Sequence, residues 1–187
     1  MHAYVLMTNH VHLLVSGETS RSVGDLMKRL GQRYVQYVNR TYRRSGTLWE
    51  GRFRSCLTRE ESYVLACYRY IELNPVRAGI VVHPGEYQWS SYDVNAQQGA
   101  SSFLVPHETY ERLGGKEEGR RAAYRELFRS DLEPEMVGKI RKATNGNYAL
   151  GSEQFAEEVA LMLARRVTPG KSGRRRKREV GRDTGLF

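Results

Sequence analysis

Ala3-Tyr4-Val5-Leu6-Met7-Thr8-Asn9-His10-Val11-His12-Leu13-Leu14-Val15 consists of two apolar runs broken by Thr8-Asn9. Short apolar runs on either side of a polar turn pair predict two neighbouring antiparallel strands, Ala3 to Met7 and His10 to Val15. On a strand, residues two apart point to the same face, so His10 and His12 stand side by side with their ring nitrogens able to converge on one ion. That makes them a candidate metal site. Two histidines on a half-buried strand are also a common structural pairing, and the pattern alone does not separate the two readings.

Beyond this stretch the chain turns helical. Val23, Leu26, Met27, Leu30, Tyr34, Tyr37 and Val38 recur at helical spacing behind Ser22 and Asp25, which have the spacing of a capping box. Lys28, Arg29, Arg33 and Arg40 lie off that apolar stripe. Gly51 to Leu57 then alternates Phe53, Ser55 and Leu57 with Arg52, Arg54 and Cys56, the period of a strand with arginines on its open face. Trp49 precedes it. Aromatic rings interleaved with cations suit unpaired bases, which stack while their phosphates meet guanidinium groups, although Trp49 would serve equally as a core anchor.

Thr58 and Glu61 repeat the capping-box spacing and predict a helix that ends at Asn74, because Pro75 disfavours helical geometry in the residue before it. On this helix Tyr70 and Asn74 are four residues apart on one face, while Tyr68 points elsewhere. The amide could help to hold a cation and the phenol could act as a nucleophile beside it; a tyrosine on the buried face of a helix is more ordinarily core.

Composition bounds the partners. The 187 residues carry a formal charge of +9 and a pI of about 9.7, a surplus that points to a polyanion, either nucleic acid or an acidic membrane surface. No apolar run approaches the roughly 20 residues of a membrane span, and no secretory signal is evident, which predicts a soluble intracellular protein. Cys56 and Cys67 are too few and too isolated for a disulfide framework or a thiolate zinc site. The chain divides into residues 1–95, rich in alternation and aromatics; 96–166, a run of helices; and 167–187, a basic tail expected to be disordered. Helices are expected over His107 to Leu113, Lys116 to Arg129, Pro134 to Ala143 and Ser152 to Arg166, the last capped by Ser152. The final two form a candidate helix-turn-helix for duplex DNA, with a long connector. In the tail, Lys171, Arg174, Arg175, Arg176, Lys177 and Arg178 are expected to bind phosphates without reading sequence.

"YVLMTNHVHLLV" at 4–15, "YRYIELNPVRAGIV" at 68–81 and "WSSY" at 89–92 together resemble the HUH single-tyrosine transposases of the IS200-like superfamily, in particular the REP-associated tyrosine transposases. The resemblance covers residues 1–95. It implies an α+β fold with a ferredoxin-like antiparallel sheet, followed here by a helical extension and the basic tail. It implies that His10, His12 and Asn74 hold a divalent ion, Mg²⁺ or Mn²⁺, although two imidazoles and an amide would by themselves also admit zinc. It further implies that Tyr70 attacks a DNA phosphate, giving a 5′-phosphotyrosine and a free 3′-hydroxyl. The implied substrate is a single-stranded DNA hairpin of the repetitive extragenic palindrome type, met by a monomer or homodimer at the bacterial nucleoid. Lys28, Arg33, Trp49, Arg52 and Arg54 are candidate DNA contacts on the residue reading above.

Members of that family begin with a further strand and helix ahead of the segment matching His2. The sheet is therefore expected to lack its first strand and helix, through truncation, a start placed at an internal Met, or a strand supplied by another copy. An open strand edge would favour poor solubility or a swapped dimer. It also leaves a second reading open: a catalytically inactive relative acting as a DNA-binding or regulatory protein. A third class, a helix-turn-helix regulator with a dimerising sheet, predicts preference for duplex DNA and indifference to loss of His10 or His12.

Overall fold

A computed structural model describes residues 1–170, an α+β arrangement with one two-stranded sheet and eight α-helices among those residues. Strands β1 (Ala3–Leu6) and β2 (Val11–Leu14) pair antiparallel in the register Ala3↔Leu14, Tyr4↔Leu13, Val5↔His12 and Leu6↔Val11. Facing residues of an antiparallel pair point to the same side of the sheet. Ala3 and Val5 are fully buried, so this register turns His12 toward the core side. The edge of β1 away from β2 is covered by the segment around Ser90: Leu6 donates to the Trp89 carbonyl at 2.9 Å, and Ser91 donates to that of Tyr4 at 3.0 Å. "WSSY" thus blunts an edge that would otherwise invite another chain.

Helix α1 (Ser22–Thr41) follows the expected stripe but buries none of its residues. Leu30, Tyr34 and Tyr37 remain 45%, 51% and 65% exposed, so the stripe formed the helix without being covered by the core. The expected cap also differs. Arg21 stands at the N-cap, and the Ser22 hydroxyl instead accepts from the Thr19 amide at 3.1 Å. Gly51 to Leu57 is not a strand either. Arg52, Phe53, Arg54 and Ser55 are all exposed, leaving no face to bury, and the backbone finds partners in the later 147–150 segment: Ser55 donates to Asn147 Oδ1 at 3.0 Å, and Leu57 accepts from Leu150 at 2.8 Å.

Helix α2 (Glu61–Glu72) is the central element, burying Val64, Ala66, Cys67, Tyr68, Tyr70, Ile71 and Glu72. It packs on both strands and, from the other side, on later helices. Its N-cap is Glu60 and not Thr58, because the Glu60 carboxylate turns to the Ser152 amide, 2.9 Å away, and to the Ser152 hydroxyl. The helix stops at Glu72, earlier than the expected Asn74, and Asn74 with Pro75 opens the short turn α3 (Asn74–Arg77). Proline tolerates a first helical turn, where its missing N–H costs nothing.

After a 3₁₀ turn at Pro84–Glu86 come α4 (Tyr92–Ala96), α5 (Glu108–Glu111), α6 (Glu117–Glu126), α7 (Pro134–Gly146) and α8 (Glu153–Leu163). Ser152 caps α8 as expected, accepting from the Phe155 amide at 3.2 Å. Tyr110, Tyr124, Ile140, Ala143 and Leu150 share one core with β1 and α2, while Phe155, Ala156, Val159 and Val167 form a second, smaller cluster. Val167, at the expected start of the basic tail, is thereby buried. Lys171 and Arg174 to Arg178 lie outside the described residues.

At the base of α2 a carboxylate is sealed inside the core. Glu72 is fully buried and accepts from the hydroxyl of Ser91, from Asn95 Nδ2 at 2.8 Å and from the Tyr124 hydroxyl at 2.7 Å. Burial pushes its carboxyl up to about 7, against the pull of those three donors. No helix among the described residues is long and apolar enough to cross a membrane.

Candidate active site

His10, His12, Tyr70 and Asn74 line one pocket of about 330 Å³, together with Arg141, Thr144 and Asn145 of α7. Four residues picked from two distant stretches of sequence thus come together. The strand register supplies the first two, since His12 faces α2 across from Val5 and His10 lies two residues earlier on the same face. The end of α2 supplies Tyr70, and the first turn of α3 supplies Asn74. The rings of His10 and His12 are 4.9 Å apart, and those of His12 and Tyr70 5.5 Å, each pair edge to face.

The donor set fits a divalent cation. His12 is held near pKa 4, chiefly by burial and then by the charges of His10, Arg77 and Arg141, so its imidazole is neutral and keeps a lone pair at neutral pH. His10 Nδ1 lies 2.7 Å from Asn9 Oδ1 and can donate to it, which leaves Nε2 as the free acceptor. Asn74 Nδ2 donates to the Tyr70 carbonyl at 3.4 Å, leaving the Asn74 Oδ1 as a possible ligand. The C-terminal ends of α2 and α7 both meet this pocket, and the partial negative charge of helix C-termini favours a cation there. No group of three or more His, Cys, Asp or Glu is gathered anywhere among the described residues, so the third protein ligand here would be an amide and not a carboxylate.

Arg77 holds the tyrosine from behind. Its guanidinium lies 4.3 Å from the centre of the Tyr70 ring and donates to the Tyr70 carbonyl. A cation over a phenol face fixes the ring through the ring quadrupole. Arg77 stands in the "NPVRAG" stretch, where its one sequence signal is its place three residues after Asn74. Arg141, Thr144 and Asn145 carry no comparable signal. They fall some seventy residues after Asn74 in a helix whose own pattern is ordinary, and no local motif marks them.

The candidate DNA contacts divide. Arg54 reaches the pocket rim, donating to Asn145 Oδ1 at 3.1 Å. Arg52 is exposed nearby in sequence. Lys28 and Arg33 are exposed on α1 and do not line the pocket. Trp49 lies against the same helix, its ring 5.8 Å from that of Tyr34 and its indole N–H donating to the Gly31 carbonyl at 3.3 Å. It is therefore a surface residue, 41% exposed, and not a core anchor.

Residues 1–74 match the family described as "Transposase IS200 like". No curated protein and no solved structure matches the chain.

Proposed function

We propose that this chain, whose residues 1–74 match the family described as transposase IS200 like, cleaves and rejoins single-stranded DNA hairpins through Tyr70. The observation that carries the reading is the meeting of Tyr70 with His10, His12 and Asn74 in one pocket. The Tyr70 oxygen, its proton released to solvent, bonds to a backbone phosphorus as the bond to the 3′-oxygen breaks. That oxygen takes up a proton and leaves as a 3′-hydroxyl, while the downstream strand stays on the protein as a 5′-phosphotyrosine. One phosphoester replaces another, so the step reverses without an external energy source. When bound at His10, His12 and Asn74, Mg²⁺ or Mn²⁺ supplies polarisation of the phosphate and offsets the charge that develops on its oxygens. Arg77 keeps the Tyr70 ring edge-on to His12, within reach of the same phosphate.

The surface of α1 suits the rest of the substrate. Tyr34, Tyr37 and Trp49 offer exposed rings among Lys28 and Arg33, a combination on which unpaired bases stack while cations meet phosphates. Arg54, which donates to Asn145 Oδ1, brings that charge to the pocket rim.

A hairpin oligonucleotide labelled at its 3′ end tests this reading. With Mn²⁺ or Mg²⁺ the label is expected to migrate with the protein in a denaturing gel, and with EDTA it is not; a 5′ label stays off the protein in both cases, on a shortened strand with the ion and on the intact strand with EDTA. Hairpin binding without an adduct under either ion would contradict the proposal and favour the inactive, DNA-binding alternative.

A further inference from the structure

Three of the seven residues that line the pocket belong to a part of the chain that the family match does not reach. Arg141, Thr144 and Asn145 lie on one face of the last two turns of α7, three and four residues apart, and that face closes the pocket opposite the histidines. The other face of α7 carries Ile140 and Ala143 into the main core, which fixes the helix in place. Ser55 and Arg54 pin the following turn through Asn147 and Asn145, and Cys56 Sγ meets the Thr144 hydroxyl at 3.4 Å. Arg141 is exposed and enters no ion pair among the described residues, whereas Lys139 of the same helix is paired with Glu135 at 2.8 Å. No carboxylate lines the pocket. A guanidinium on an anchored helix, lining an acid-free pocket with a hydroxyl and an amide, is the chemistry of an oxyanion subsite.

We infer that Arg141 binds the non-bridging oxygens of the phosphate that Tyr70 attacks, with Thr144 and Asn145 as neutral donors beside it, so that the helical extension completes the active site. The inference rests on the proposed function for the identity of the phosphate, but the anion subsite stands or falls separately. Arg77 cannot take this part: its Nη2 is committed to the Tyr70 carbonyl, and its Nε and Nη1 are buried without partners. It is a positioning residue for the ring, and Arg141 is the cation that faces outward into the pocket.

Two measurements on the full chain separate the claims. In EDTA, inorganic phosphate is titrated while the ring resonances of His10 and His12 are followed by NMR, with Arg141→Gln and Arg141→Lys as variants. The parent and the lysine variant are expected to show saturable shifts, and the glutamine variant to lose them, with unchanged melting temperature because Arg141 is exposed and unpaired. Phosphate-dependent shifts that persist with the same midpoint in Arg141→Gln, or that are absent from the parent, overturn the subsite. In single-turnover adduct formation, Arg141→Gln is expected to slow the step by roughly 10²- to 10³-fold, the scale of removing one preorganised donor from a developing charge. An unchanged rate removes Arg141 from the reaction, and a faster one shows that α7 obstructs the pocket. If the parent forms no adduct but does bind phosphate through Arg141, the proposed function fails and the subsite survives.

Discussion

Tyr70→Phe is expected to abolish the covalent DNA adduct, lowering the single-turnover rate by at least about 10⁴-fold, the scale on which loss of an activated nucleophile is felt. The fold should not notice. The Tyr70 ring keeps its contacts with His12 and with the Arg77 guanidinium, and its hydroxyl holds no hydrogen bond among the described residues, so removing the oxygen leaves nothing unpaired. Tyr68 is the control on the same helix. Its ring is fully buried between Tyr110 and Tyr124, and its hydroxyl accepts from the His107 amide at 3.3 Å. Tyr68→Phe is expected to cost about 1 kcal/mol of stability while adduct formation persists. Gel mobility of labelled oligonucleotide and a melting curve decide both.

Glu72→Ala is expected to be the most destabilising single change in the chain. It would strand the hydroxyls of Ser91 and Tyr124 and the amide of Asn95 in the core beside a new cavity, a loss of roughly 3 to 5 kcal/mol. Glu72→Gln keeps the shape and an acceptor, so it should stay within about 1 kcal/mol of the parent at neutral pH. The pH profile carries the sign. Burial raises the folded carboxyl to about 7 from the ordinary 4.5, so its contribution is fully present below pH 4.5 and is lost as pH rises through 7. The shift corresponds to about 3 kcal/mol. His12, lowered to about 4, works in the opposite direction, its contribution being lost as pH falls from 6.5 through 4. In metal-free buffer the parent should therefore show a shallow profile and Glu72→Gln a steady loss of stability into acid. Parallel profiles for the two proteins would show that Glu72 does not titrate in this window.

The site was more legible in the sequence than its surroundings. His10 and His12 could be paired because a strand repeats every two residues, and Tyr70 could be tied to Asn74 because a helix repeats near four. Both are local periodicities, and both survive folding. The alternation from Gly51 to Leu57 has the same strand period yet forms no strand, because no neighbouring strand competes for its backbone and the 147–150 segment does. The two capping-box spacings failed for a related reason: Glu60 is drawn to Ser152, some ninety residues away, and Ser22 to the preceding turn. The stripe on α1 predicted the helix correctly but not its burial, which depends on what is available to cover it. Arg77 and Arg141 were invisible as site residues, since a lone arginine carries no period. Arg141 reaches the pocket only because Ile140 and Ala143 anchor α7 against the core.

Peptide mapping of the DNA-linked protein tests the central claim most directly. After reaction with a hairpin oligonucleotide and Mn²⁺, nuclease and protease digestion followed by mass spectrometry is expected to place a nucleotide, joined through its 5′-phosphate, on Tyr70. Attachment at Tyr63, Tyr68 or any other residue, or a linkage through a 3′-phosphate, would contradict the account.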